Sequence, residues 1–124
     1  MGVVAMSDEM VIFTRTFDLL TWLLPQCEKF PRPQRFVVTG RLQAAVLDFQ
    51  ERIVEANALA AGPARQARLR EADAELVKLR LYLRLAHRWG WIKDGQYEHV
   101  SEMVAEIGRL LGGWLRSAGT DRNG

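Results

Sequence analysis

Apolar residues recur along most of the chain at alternating spacings of three and four, the repeat of one face of an α-helix. Phe13, Phe17, Leu20, Leu24 and Cys27 form the first such stripe, and Ser7 followed by Asp8 and Glu9 offers an N-cap with acidic residues in the first turn. Pro25 is predicted to kink the last turn, and the two prolines of FPRP (30–33) end the helix because neither can donate a backbone hydrogen bond. A second helix is predicted to begin between Gln34 and Val38, with Leu42, Val46, Phe49, Ile53, Ala56 and Ala60 facing the core. It closes at AGP (61–63), where Gly62 serves as C-cap and Pro63 opens the next helix. The third helix carries Leu69, Ala72, Leu76, Leu79, Leu83 and Ala86 and runs to about Trp89. After the link GWIKDG (90–95) the fourth carries Val100, Met103, Ile107, Leu110 and Trp114, and no segment of period two competes with these patterns. Four such helices on short links predict an all-α fold, an antiparallel up-down-up-down four-helix bundle over 8–118, with 1–7 and 119–124 as flexible ends.

Two helices have more apolar surface than one core face requires. In KLRLYLRLAHRWGW (78–91), Leu81 and Leu85 stand nearly opposite Leu76, Leu79 and Leu83. In EIGRLLGGWLR (106–116), Gly108 and Gly112 lie beside the core stripe with Val104, Ala105, Leu111 and Leu115. A glycine inside a helix costs about 0.5–1 kcal/mol relative to alanine, so a pair four apart is expected where another backbone comes close. A helix apolar on two sides buries both, and most soluble assemblies are closed and homomeric. Leu81, Leu85, Gly108 and Gly112 are therefore the residues expected to pack a closed homo-oligomer, with cover inside one bundle as the alternative.

The 124 residues are 48% hydrophobic and 26% charged, a globular composition sized for one domain. LLTWLLPQC (19–27) is too short to span a bilayer, which needs about 20 apolar residues, and MGVVAMSDEM (1–10) lacks the basic start and apolar run of a secretion signal. A cytoplasmic protein is expected, with no membrane partner. The lone Cys27 reads as a small apolar core residue. Net charge is only +2, but the 17 basic residues include fourteen Arg, and their distribution is uneven. Between Arg65 and Arg88 seven basic residues face three acidic ones. Arg80, Arg84 and Arg88, each four apart, form a ridge suited to phosphates or to an acidic protein surface. Arg32, Arg35 and Arg41 form a second cluster interleaved with Phe30 and Phe36, which could stack on bases, although a merely solvated Arg face would have the same spacing.

Signs of catalysis are lacking. His87 and His99 do not have the spacing of bundle metal ligands, and no metal or cofactor is expected. Glu98, Glu102 and Glu106 read as a solvated face with Arg109 as a ready ion-pair partner. Cys27 has no activating neighbour in view, and the glycines of the last helix follow no strand, as a phosphate-binding loop would. The chain is not expected to be an enzyme.

LRLYLRLA (79–86), VAEIGRLLGGWLR (104–116) and FPRPQRFVVTGRLQAAVLDF (30–49) together resemble the accessory variability determinant (Avd) proteins of diversity-generating retroelements. They also resemble the relatives of those proteins encoded within intervening sequences of bacterial large-subunit ribosomal RNA genes, and the likeness spans residues 8 to 117. The resemblance implies a basic homopentameric barrel of four-helix bundles. Such a barrel binds the element's error-prone reverse transcriptase and RNA or DNA, supports mutagenic complementary-DNA synthesis, and has no catalytic residues. Arg80 and Arg84 match the family-like LRLYLR and are the first candidates for charged contact, and Gly108 and Gly112 match the glycine-containing last helix. The basic turn at Arg32 and Arg35 is common to both branches. Two alternatives stand beside this reading: a ribosomal-insert-type protein of undefined role, and a purely structural homo-oligomer.

Overall fold

The computed structural model describes residues 8–119, with their side chains except those of 8–10 and of Arg35. The expected flexible end at 1–7, Ser7 included, lies outside the described residues, as does all but Gly119 of the one expected at 119–124. Four helices account for most of the chain: α1 (Asp8–Cys27), α2 (Gly40–Ala58), α3 (Pro63–Arg88) and α4 (Asp94–Ala118), with no strand among the described residues. Each helix packs on the next, and α1 closes the ring against α4. The pairings run antiparallel. Phe13 meets Trp114 edge-on at 6.0 Å, while Trp22 near the far end of α1 meets His99 near the start of α4 at 5.3 Å.

Sequence periodicity locates the core of α3 residue for residue: Leu69, Ala72, Leu76, Leu79, Leu83 and Ala86 are all buried. In α2 the stripe from Leu42 to Ala56 is buried, but the helix stops at Ala58 and leaves Ala60 exposed. The stop has a side-chain cause. Leu59 turns extended, and the Arg65 guanidinium reaches back from α3 to donate to the carbonyls of Ala56, at 3.0 Å, and Leu59. The start of α2 also differs from expectation. A 3₁₀ turn (Arg32–Gln34) and a wide π turn (Arg35–Thr39) precede it, so regular helix begins only at Gly40. Val38 and Thr39 are thereby turned inward, and Phe36 and Val37 outward.

In α1 the buried line is Ile12, Thr16, Leu19, Leu23 and Cys27, one residue round from the predicted stripe, and Phe17 is exposed. Leu20 and Leu24 are half-buried at the seam. A threonine at the centre of the true stripe hid it from an apolar pattern. In α4 the core is Val100, Val104, Ile107, Leu111, Trp114 and Ala118, with Met103 and Leu110 only half-buried. That helix lies between α1 and α3, so much of what reads as a second strip is core within one bundle. The second strip of α3 is different: Leu81 is 52% exposed and Val77 equally open, while Leu85 is half-buried.

The α2–α3 and α3–α4 links are set by local chemistry. Gly62 takes φ +147°, where a side chain would be strained, and its N–H donates to the carbonyl of Ala118 at 2.8 Å, tying the α2–α3 link to the end of α4. At the other end of the bundle α3 closes in a Schellman turn around Gly90 (φ +79°). The N–H of Trp91 bonds the carbonyl of Ala86 at 2.8 Å and that of Gly90 the carbonyl of His87 at 3.0 Å. Helix α4 then starts with the N–H of Lys93 capped by Gln96 Oε1 at 2.8 Å.

Candidate nucleic-acid interface

Ion pairing divides the basic residues of α3 into two groups. Arg65 caps α2 and lies over the Trp114 ring at 5.9 Å, Arg68 pairs with Glu55 and Glu71, and Lys78 pairs with Glu75 at 3.2 Å. These three cations are occupied within the chain. Arg70, Arg80, Arg84 and Arg88 are exposed, and none of them has a carboxylate partner among the described residues; the last three form the ridge. Helical geometry turns the ridge as it advances, from the α3–α4 groove at Arg80 toward the outer face of α3 at Arg88.

The groove is compact and of mixed character. Arg80 and Arg84 from α3, Tyr97 and Ser101 from α4, and an apolar floor of Leu83 and Val104 enclose about 190 Å³. Gly108 shapes its edge: a Cβ there would lie 2.5 Å from Arg80 Nη2 and 3.7 Å from Leu76 Cδ2, so the glycine leaves the space the guanidinium occupies. The close neighbour of Gly108 is thus a side chain of the same bundle. A Cβ at Gly112 would meet only Arg116 of its own helix, at an ordinary 3.6 Å.

Beside the groove His87 stacks on Tyr97, with ring centres 4.1 Å apart and planes 3° from parallel, and its Nε2 shares a hydrogen bond with Asp94 Oδ1 at 2.8 Å. This cluster holds the end of α3 to the start of α4 and fixes the Tyr97 ring in the groove wall. Sequence reasoning weighed His87 only as a metal ligand and missed the cluster. Its members are seven and ten residues apart across a turn, a spacing with no helical signature. No group of His, Cys, Asp and Glu among the described residues could hold a metal ion. Glu106 pairs with Arg15 of α1 at 3.1 Å, and not with the expected Arg109. Burial pushes the Cys27 thiol up to about 12, which keeps it protonated and unreactive.

The fold also brings the two basic clusters toward one end. The α1–α2 link with Arg32 meets the α3–α4 link that follows Arg88, through Phe30 against Trp91 at 5.3 Å. Arg32 and Arg41 are exposed there, while the Arg35 side chain lies outside the described part. The resulting surface is suited to a polyanion: cations without internal partners, hydroxyls in a groove, and aromatic faces at its end.

No described helix is long and apolar enough to cross a membrane. No curated protein matches the chain. The fold is similar to that of a protein of unknown function from the S23 ribosomal protein family of Bacteroides thetaiotaomicron, with a TM-score of 0.78 and 21% identity, over 88% of this chain and 98% of that one. A family model described as bAvd-like matches residues 10–118.

Proposed function

The chain belongs to the bAvd-like family, and from that premise we propose that it is a non-catalytic accessory protein of a diversity-generating retroelement. In this role it binds the element's reverse transcriptase and nucleic acid, supports mutagenic complementary-DNA synthesis, and works in the cytoplasm as a closed homo-oligomer of five subunits. The observation that carries the reading is the continuous ridge of Arg80, Arg84 and Arg88, three exposed cations spaced by four without carboxylate partners among the described residues, whereas Arg68 and Lys78 on the same helix are paired. The exposed Leu81 beside this ridge supports assembly, since contiguous apolar surface is normally covered.

The test is the double substitution Arg80→Glu and Arg84→Glu. Both residues are exposed, so the helical fold is retained. If the ridge contacts phosphates, affinity for RNA or DNA falls, and the log–log dependence on salt, about −0.7 to −0.9 per neutralised phosphate, flattens. If it meets the polymerase, nucleic-acid binding survives and co-purification with the reverse transcriptase is lost. A folded double variant that keeps both partners rejects the ridge and turns attention to Arg32, Arg35 and Arg41. The S23-family fold neighbour favours a second reading, an intervening-sequence-type protein of undefined role. Neighbouring DNA separates the two. A reverse-transcriptase frame with a near-duplicate repeat differing mainly at adenines supports the first, and a position inside a ribosomal RNA gene supports the second.

A further inference from the structure

At the link end of the bundle, Pro31, Pro33, Gln34, Trp89 and Trp91 line an open cleft of about 330 Å³. Its walls are held in place. The Schellman turn at Gly90 places Trp89 and Trp91 on either side of a left-handed residue, their ring centres 5.2 Å apart and their planes inclined at 48°. Trp91 rests on the buried Phe30. The opposite wall is a proline-bracketed turn whose backbone has little freedom left to lose on binding. Trp89 has no comparable structural duty. It is 50% exposed, and the burial that anchors this link is supplied by its neighbour Ile92, at 1%.

Charge indicates the occupant. Over residues 28–41 and 88–93 the chain carries Lys29, Arg32, Arg35, Arg41, Arg88 and Lys93 against Glu28 alone. Arg32, in the lining turn, and Arg88, adjoining Trp89, are exposed and have no ion-pair partner among the described residues. A proline-rich peptide would use the aromatic walls but has no need of the cations; a duplex would use the cations, but its bases are already stacked. An exposed indole face with free cations on the segments beside it matches a flexible polyanion with unpaired planar bases. Phe36, 90% exposed on the adjoining turn, extends the aromatic surface along the same link.

We infer that this cleft stacks an unpaired base of a single-stranded nucleic acid on Trp89, with Arg32 and Arg88 contacting the flanking phosphates and the Gln34 amide available to a base edge. The inference rests on the nucleic-acid reading above and narrows it to single strands and to this end of the bundle.

The experiment titrates the full chain with unlabelled oligouridine and oligothymidine, and with a duplex of equal length. Tryptophan fluorescence and anisotropy of a labelled strand are read in parallel. Trp114 is buried and Trp22 half-buried against His99, so the part of the quenching that disappears in Trp89→Leu reports on the one exposed indole. Single strands are expected to quench and the duplex not. Trp89→Leu, which keeps apolar area but removes the π face, is expected to weaken single-strand binding by about 5- to 150-fold, and Trp89→Phe to restore much of it. Unchanged affinity in Trp89→Leu overturns the inference. So does equal quenching by duplex, capture of a proline-rich peptide in place of the oligonucleotide, or a loss of sedimenting mass in Trp89→Leu with binding intact, which would assign the cleft to a second copy. Failure to bind either strand form in the unaltered protein refutes the functional reading itself, whereas binding that ignores Trp89 but is lost in the Arg80→Glu, Arg84→Glu variant removes only this inference.

Discussion

Replacing Gly108 by alanine separates stability from binding, because the two opposing terms can be worked out from the structure. The methyl group removes the glycine penalty in the interior of α4, a gain of about 0.5–1 kcal/mol. Against it, the new Cβ stands 2.5 Å from Arg80 Nη2, so the guanidinium must withdraw by about 1 Å to reach ordinary contact. No ion pair or hydrogen bond holds Arg80 in place among the described residues, so moving it breaks nothing polar. The cost is at most that of an imperfect rotamer, about 0.5–1.5 kcal/mol. Leu76 Cδ2, at 3.7 Å, is already at a comfortable distance from the methyl group. The sum lies within about 1 kcal/mol of zero, or about 4 °C in melting temperature for a domain of this length. Thermal unfolding followed by far-ultraviolet circular dichroism is therefore expected to change little, while nucleic-acid binding measured across a salt series loses about one phosphate's share of the slope. A destabilisation above about 2 kcal/mol would refute the argument, since only backbone, and not a flexible guanidinium, resists a methyl group so strongly. An unchanged salt slope in a well-folded variant would show that the seat of Arg80 has no part in binding.

Three other outcomes are expected. Leu81→Glu leaves the protomer folded, since Leu81 is half exposed, but abolishes assembly in sedimentation; an unchanged mass would exclude this strip from the subunit interface. Thr16→Val removes a fully buried hydroxyl that makes no hydrogen bond and is expected to raise stability by about 1 kcal/mol in urea unfolding, with a loss of stability pointing to an overlooked partner. Burial lifts the Cys27 thiol from 9.0 to about 12, so the folded state keeps a proton that the unfolded chain releases. This stabilisation is complete below pH 9.0 and is lost as the pH rises toward 12. Cys27→Ala should accordingly lose less stability than the unaltered chain over that window, and equal slopes would refute the assignment.

Sequence alone determined the number of helices, their approximate limits and the core face wherever a helix buries one uniformly apolar side. Helix α3 is the clearest case, because its six buried positions are apolar at helical spacing and nothing polar interrupts them. The family resemblance was legible in the same way, in continuous segments of α2, α3 and α4. Tertiary structure decided what depends on neighbours distant in sequence. The core line of α1 passes through Thr16, a residue only its burial identifies, and α4 is buried on two sides because it is wedged between α1 and α3. The early stop of α2 depends on Arg65, whose hydrogen bonds look like any other basic charge in the sequence. The candidate interface shows the same division. Spacing revealed a ridge at Arg80, Arg84 and Arg88, but only the ion pairs of Arg68 and Lys78 show which cations are already occupied. Only the meeting of two links builds a cleft from Pro31, Pro33, Trp89 and Trp91. Periodicity records which side of a helix avoids water, whereas partner choice, cavity shape and free charge arise from contacts between segments that the linear order keeps apart.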